Sequence, residues 1–252
     1  MIIYIRSLKE IEKIRESNRI VAETLSLLKT EIRPGVSTLE LDKIAEDFIR
    51  GHDAKPAFKG YNGFPASICT SINEQVVHGI PSKRVLQEGD IIGIDIGALK
   101  DGYYGDSAYT FAVGKVDDEK LRLMRVTEES LYRGIEQARA GNHLSDIGHA
   151  IQTFVEDNGF SVVRTLVGHG IGTKLHEPPE VPNYGLPGRG PELKPGMCLA
   201  IEPMVNIGTF EVECLEDGWT IVTVDRQASA HYEHTIAITE DDPLILSTRE
   251  ER

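Results

Sequence analysis

The chain repeats itself, and that repetition restricts its folding more than any single motif does. Leu86-Gln87-Glu88-Gly89-Asp90-Ile91-Ile92-Gly93-Ile94-Asp95 is matched 107 positions later by Leu193-Lys194-Pro195-Gly196-Met197-Cys198-Leu199-Ala200-Ile201-Glu202. Arg33-Pro34-Gly35, Leu41, Phe48 and Ile49 are matched by Arg139-Ala140-Gly141, Ile147, Phe154 and Val155 at an offset of 106. Chance likeness between two helix-then-strand units is the other reading. Read as a duplication, the pattern makes residues 1–252 one domain with halves of about 1–115 and 116–252. It also pairs Asp95 with Glu202 across an internal pseudo-twofold, which brings both acids to the axis between the halves.

Each half reads helix, helix, strands. Ser7-Leu8-Lys9-Glu10 is a capping box, followed at three- to four-residue spacing by Ile11, Ile14, Val21, Leu25, Leu28 and Ile32 until Pro34-Gly35 ends the helix. Ser37-Thr38-Leu39-Glu40 opens a second helix with Leu41, Ile44 and Phe48 inward and Gly51 past its end. Helices over about 117–140 and 145–158 are expected in the second half. Residues 57–81 read as strand and loop, and the chain from 159 to 248 as mostly short strands.

Asp95 lies in a run of Ile and Gly that reads as a buried strand, where an uncompensated carboxylate costs several kcal/mol. A turn at Lys100-Asp101-Gly102 reverses the chain into a second strand over 103–113, carrying Asp106 back beside the first. Asp next to Gly ordinarily caps a turn, so the pair alone decides little. Three further segments add to it. Val167-Gly168-His169-Gly170-Ile171-Gly172 sets an imidazole between glycines, Ala200-Ile201-Glu202-Pro203 puts an acid in an apolar run, and 230–238 alternates so that His231, Glu233 and Thr235 share a face. The glycines at 168, 170 and 172 are no phosphate loop, because Lys174 is followed by Leu175 and no helix pattern succeeds them. Asp95, Asp106, His169, Glu202 and Glu233 supply four carboxylates and one imidazole. Four negative charges balance two divalent cations, and an oxygen-rich set with one nitrogen suits Mn(II), Fe(II) or Co(II), and also Zn(II).

Composition removes other classes. Lys and Arg number 27 against 40 Asp and Glu, a net charge of −13, which argues against nucleic acid as substrate and an anionic membrane as partner. The opening run Met1-Ile2-Ile3-Tyr4-Ile5 is too short for a signal peptide and no later run reaches membrane-spanning length, so the expectation is a soluble, cytoplasmic protein. Cys69, Cys198 and Cys214 form no Cys-x-x-Cys pair, which fits a reducing compartment and excludes a Cys-rich zinc site.

With these residues in hand, the chain resembles the type I methionine aminopeptidases of the bacterial kind over nearly its whole length. The motifs that carry the resemblance are Ser71-Ile72-Asn73-Glu74 with Val77-His78-Gly79-Ile80-Pro81, Asp95 with Gly105-Asp106, Gly168-His169-Gly170-Ile171-Gly172 with His176-Glu177, Ile201-Glu202-Pro203, and Tyr232-Glu233-His234-Thr235. The resemblance implies an α+β pita-bread fold: two pseudo-equivalent halves forming a curved antiparallel sheet backed by helices. It implies two divalent metals held by Asp95, Asp106, His169, Glu202 and Glu233, with Asp106 and Glu233 bridging. It makes His78 and His176 the histidines that contact the substrate amide and the tetrahedral intermediate, and Glu202 the acceptor of a proton from the attacking water. Tyr61, Cys69 and Trp219 match the family's methionine pocket, while Phe58, Phe64 and Leu175 stand where relatives vary. His231 stands where relatives often carry Gln, and near Glu233 it is expected to add a protonation step near neutral pH. The absence of a Cys- and His-rich stretch before Cys69, and the 25 residues between His176 and Glu202, favour the short form.

The activity so implied is removal of the initiator methionine from nascent polypeptides whose second residue is small, with nascent N-termini as partners and transient docking at the ribosome. A proline-directed aminopeptidase or dipeptidase of the same fold is the nearest alternative, though about 30 residues before Arg33 leave no space for the N-terminal domain such enzymes usually carry. A non-catalytic peptide-binding module of this fold is a third reading, disfavoured by retention of all five ligands.

Overall fold

Ser7 and Ser37 start the first two helices as their capping boxes require. The computed structural model describes residues 2–248; Met1, which opens the N-terminal apolar run, and residues 249–252, the last of the expected domain, lie outside the described residues. In α1 (Leu8–Glu31) and α2 (Thr38–Gly51) each cap hydroxyl accepts the N3 backbone N–H, and Glu10 or Glu40 accepts the cap's own N–H in return. Two details of α2 differ from expectation. Gly51 is its last residue, and Phe48 is only half-buried, tilted on His52 with ring centroids 4.3 Å apart, because Ala45 and Ile49 occupy the inward face.

The strands that follow are β1 (Lys55–Pro56), β2 (Ile68–Ile72), β3 (Gln75–Val77), β4 (Ile91–Lys100) and β5 (Tyr103–Ala112). β4 and β5 form a ten-pair hairpin from Ile91↔Ala112 to Lys100↔Tyr103. Its two turn residues, Asp101 (φ +49°) and Gly102 (φ +81°), both adopt the left-handed conformation that a tight two-residue hairpin demands. Ile92, Ile94 and Ile96 point from β4 into a core with Ile20, Leu25 and Leu28 of α1 and Leu41 and Ile49 of α2. Burying each such side chain contributes roughly 1.5–3 kcal/mol.

After α3 (Asp118–Gln137) and α4 (Leu144–Asp157) come β6 (Ser161–Val162), β7 (Gly168–Gly170), β8 (Glu177–Val181), β9 (Cys198–Ile201) and β10 (Met204–Asn206). The last strands are β11 (Val212–Cys214), β12 (Ile221–Thr223), β13 (Ser229–His231), β14 (His234–Ala237) and β15 (Leu244–Ile245). Every strand pair among the described residues is antiparallel. Hydrogen bonding divides the surface into four patches, ordered β1-β4-β2 with β5 on β4, β13-β10-β6, β11-β12-β3 and β15-β14-β9-β7-β8. Helices α3 and α4 cover the strands of the second half through Leu123, Leu131, Ile135, Ile147 and Ile151 against Leu199 and Ile201 of β9 and Ile236 of β14. No described helix is long and apolar enough to cross a membrane.

Candidate metal centre

The hairpin register determines which face carries acid. Asp95 stands opposite Ala108 and Gly97 opposite Asp106, so the two carboxylates are diagonal neighbours on one face of β4 and β5. A second seam runs from β5 to residues 231–235. Thr110 Oγ1 donates to the His231 carbonyl at 2.8 Å and accepts from its N–H at 3.0 Å. The Glu233 N–H donates to Ala108 O at 2.9 Å, Ser107 Oγ donates to Glu233 O at 2.6 Å, and Thr235 Oγ1 donates to Asp106 O at 2.7 Å. Hydroxyls thus supply much of an antiparallel ladder and hold Asp106 beside Glu233. The continuous strand expected over 230–238 is broken: β13 pairs with β10 and β14 with β9, leaving Tyr232 and Glu233 between them.

Behind Asp106, α1 approaches closely. A Cβ at Gly105 would lie 2.5 Å from the Asn18 backbone nitrogen, and Asn18 Oδ1 accepts the Asp106 N–H at 3.1 Å while its amide donates to Ile14 O. His169 sits in β7 between β8 and β9, where a Cβ on either flanking glycine would strike the carbonyl of Ala200 or Pro178. Its Nδ1–H donates to Gly170 O at 2.9 Å, which leaves Nε2 as a free lone pair facing the acids.

The four acids and the imidazole singled out in the sequence converge. Asp106, His169 and Glu233 offer ligand atoms all within 4.8 Å of one another. His169 Nε2 lies 3.9 Å from Asp106 Oδ2 and 3.6 Å from Glu202 Oε1, and the Asp95 carboxyl is near enough to raise the Asp106 pKa. His231 joins them with Nε2 at 3.6 Å from Glu202 Oε2. Burial, only partly opposed by Asp95, holds the His231 pKa below its ordinary value.

These residues fit a divalent-cation site. Asp95 Oδ1, Asp106 Oδ1 and Glu233 Oε1 are buried without a hydrogen-bond partner among the described residues. Burial pushes Asp95 to about 7 and Glu202 to about 8, and burial with neighbouring carboxylates raises Asp106 and Glu233 far above the usual range. Burial also pulls His169 down to about 3, which keeps it an unprotonated donor. Hard oxygens that lack a partner, on carboxyls so crowded that they keep protons until a cation replaces them, suit Mg-, Mn- or Fe-type ions, and one nitrogen shifts the preference toward the transition metals.

The raised acids fix a sign. An acid whose folded pKa exceeds its unfolded value binds more protons in the native state, so stability falls as pH rises between the two values. His78 and His169, held by burial at about 4 and about 3, act the other way up to their unfolded value near 6.5. With Asp95 and Glu202 moving from 3.8 and 4.5 to about 7 and about 8, the metal-free protein is therefore expected to lose thermal stability from about pH 6.5 to pH 8. Glu16 and Glu46, held at about 2 by Arg19 and Lys59, act only below that window. A divalent ion is expected to raise Tm most at the alkaline end. Calorimetry of chelated protein decides it; a flat or rising Tm across that range counts against the site.

A cleft of about 920 Å3 opens beside the acids, lined by His78, His169, His176, Glu202, Met204, Pro178 and Pro179 and continuing to Leu144, Tyr184 and Arg189. Burial lowers His78 to about 4 and also lowers His176. His176 faces solvent at the rim, edge-on to His169 with centroids at 4.2 Å, and its Nδ1 is 2.8 Å from Tyr61 OH. Phe58, Phe64, Cys69 and Leu175 form one buried apolar cluster with Tyr61 and Trp219 half-buried on it. Trp219 meets Phe64 edge-on at 5.1 Å and His78 at 6.4 Å, so the apolar cluster borders the cleft at His78. Nothing in the sequence marks Asn18, Tyr104 or Arg6, yet the first supports Asp106, the second packs on the apolar cluster and the third holds the segment carrying His176.

The chain matches the model of metallopeptidase family M24 over residues 12–240. It is 59% identical over 239 residues to methionine aminopeptidase 1 of Bacillus subtilis, covering 95% of this chain and 96% of the relative. It is 56% identical over 246 residues to the methionine aminopeptidase of Clostridium acetobutylicum, covering 97% and 98%. The solved methionine aminopeptidase of Thermotoga maritima superposes with a TM-score of 0.97 at 46% identity, covering 99% of this chain and all of that one.

Proposed function

The chain belongs to metallopeptidase family M24, and from that membership we infer that it is a metallo-aminopeptidase that removes the N-terminal methionine of other polypeptides. Its α+β architecture is the family's pita-bread fold. The observation that carries the reading is an apolar, aromatic cluster bordering, at His78, the cleft that holds a carboxylate cluster with orphaned oxygens.

Two divalent ions would be held by Asp95, Asp106, His169, Glu202 and Glu233, with Asp106 and Glu233 shared between them because they face each other across the β5 seam. Bound there, such ions supply Lewis-acid charge and a water of lowered pKa. Mn(II), Fe(II), Co(II) and Zn(II) all suit the donor set. Glu202, raised by burial and half-buried at the cleft edge, would accept a proton from the attacking water and return it to the leaving amine, a role its place in the cleft lining supports. His78 and His176, neutral at pH 7, donate N–H groups, one to the developing oxyanion and the other at the scissile amide. Phe58, Tyr61, Phe64, Cys69, Leu175 and Trp219 take the methionine side chain, where sulfur on an aromatic edge adds about 0.3–1.5 kcal/mol. Nascent chains whose second residue is small are the substrates, met in the cytoplasm with transient docking at the ribosome, and the catalytic unit is the one domain with its site on the seam between halves.

A peptide panel varying the first and second residues tests this. Met-Ala-Xaa is expected to be cleaved, with Leu in first place lowering kcat/KM by about 10–200-fold. A bulky second residue is expected to abolish cleavage. Equal or better cleavage before proline, whatever the first residue, would replace methionine removal with the proline-directed reading.

A further inference from the structure

Glu177 follows His176 directly and is buried in the cleft wall. One carboxylate oxygen, Oε1, accepts from Thr173 N at 2.9 Å, Thr173 Oγ1 at 3.1 Å and Lys174 N at 3.0 Å, which closes the 173–177 segment on itself. The other, Oε2, pairs with Nη2 of Arg6, a guanidinium buried at the far end of the chain. Arg6 is fixed in its turn. Its N–H donates to Gly196 O at 2.8 Å, and Nη1 lies 3.6 Å from Glu10, the capping-box acid of α1. A Cβ at Gly172 would collide with the guanidinium, and one at Gly196 would lie 2.7 Å from the Arg6 carbonyl, so both glycines make room for this residue. Arg6 Nε remains buried without a partner, the mark of a cation held where solvation alone would not put it.

We propose that Arg6, acting through Glu177, is a positioning residue that sets the His176 imidazole against the bound substrate. This rests on the reading of His176 as a substrate contact. At the rim the His176 ring stands edge-on to His169 and within reach of Tyr61 OH, and the backbone of 173–177 sets the point from which it reaches both. The buried pair ties that backbone to the start of α1, whose other residues, Ser17 and Asn18, grip β5 at Tyr103 and Asp106. One rigid element therefore references both the carboxylate side and the His176 side of the cleft.

The test is a cycle of kinetic measurements on metal-loaded enzyme with a Met-Ala-Xaa peptide. Arg6→Met, which keeps the stem and removes the charge, is expected to lower kcat by about 10–100-fold, the scale of a misplacement near 1 Å, with KM within about threefold and metal content unchanged. Arg6→Lys, which keeps the charge but not the fork, is expected to recover part of that loss and serves alone if Arg6→Met does not fold. In the His176→Ala background either substitution is expected to cost less than about threefold, because the ring it positions is gone. An equal cost in both backgrounds, or loss of metal, overturns the proposal and leaves Arg6 a merely structural cation. An unchanged kcat for His176→Ala alone overturns instead the role given to His176.

Discussion

The Asp106→Ala/Glu233→Ala double variant is expected to cleave Met-Ala-Xaa peptides at least about a thousandfold more slowly than the unaltered protein and to hold no stoichiometric metal. Removing the two acids that meet across the β5 seam removes ligands proposed to serve both ions, and Lewis-acid assistance worth several kcal/mol corresponds to three or more powers of ten. Stability is expected to move the other way. In metal-free protein these carboxyls are buried, push one another's pKa upward and leave oxygens unpartnered, so deleting them relieves a cost. The chelated double variant should therefore melt no lower than chelated parent protein at pH 8. Cleavage at the parent rate refutes the assignment of the site, and a large drop in Tm without metal would mean that the acids hold the fold rather than ions.

Much of this centre was legible in the sequence because its constraints are local. An Asp in an Ile run, an Asp-Gly turn and a second strand of matching length determine a hairpin, and the hairpin places Asp95 and Asp106 diagonally on one face. Glycines on both sides of His169 announce a close approach, and the structure shows the carbonyls they avoid. What stayed hidden depends on pairing between distant segments. Alternation over 230–238 looks continuous, but β13 and β14 have different partners, β10 and β9, so the ladder breaks at Tyr232. Phe48 fits the helical period of α2, yet Ala45 and Ile49 bring the helix so near its sheet that the ring is pushed to the edge against His52. Arg6 has no local signature at all, since its partner Glu177 lies 171 residues away.

Replacing His78 separates catalysis from metal binding, because His78 lines the cleft without belonging to the carboxylate cluster. His78→Ala is expected to lower kcat by about a hundredfold, the effect of deleting one donor to a developing oxyanion, while metal content stays at the parent level. The backbone offers a control. His78 has φ +59°, a left-handed conformation uncommon outside glycine, imposed by Gly79, whose carbonyl accepts Thr70 N–H at 2.8 Å and whose N–H donates to Ser71 Oγ at 3.3 Å. Alanine keeps that strain and loses the ring, whereas asparagine tolerates the conformation and is shorter than imidazole. If the imidazole itself matters, His78→Asn and His78→Ala fall together in kcat while the Asn variant melts at least as high as the Ala variant. Should activity instead follow Tm, with Asn near the parent and Ala low, His78 serves the loop's shape; and if either variant sheds a metal ion, the ring belongs to the ion-binding set and its assigned role is wrong. Burial keeps this ring near pKa 4, so the loss in kcat is expected to be the same at pH 6 and pH 8, which distinguishes a neutral hydrogen-bond donor from a titrating acid.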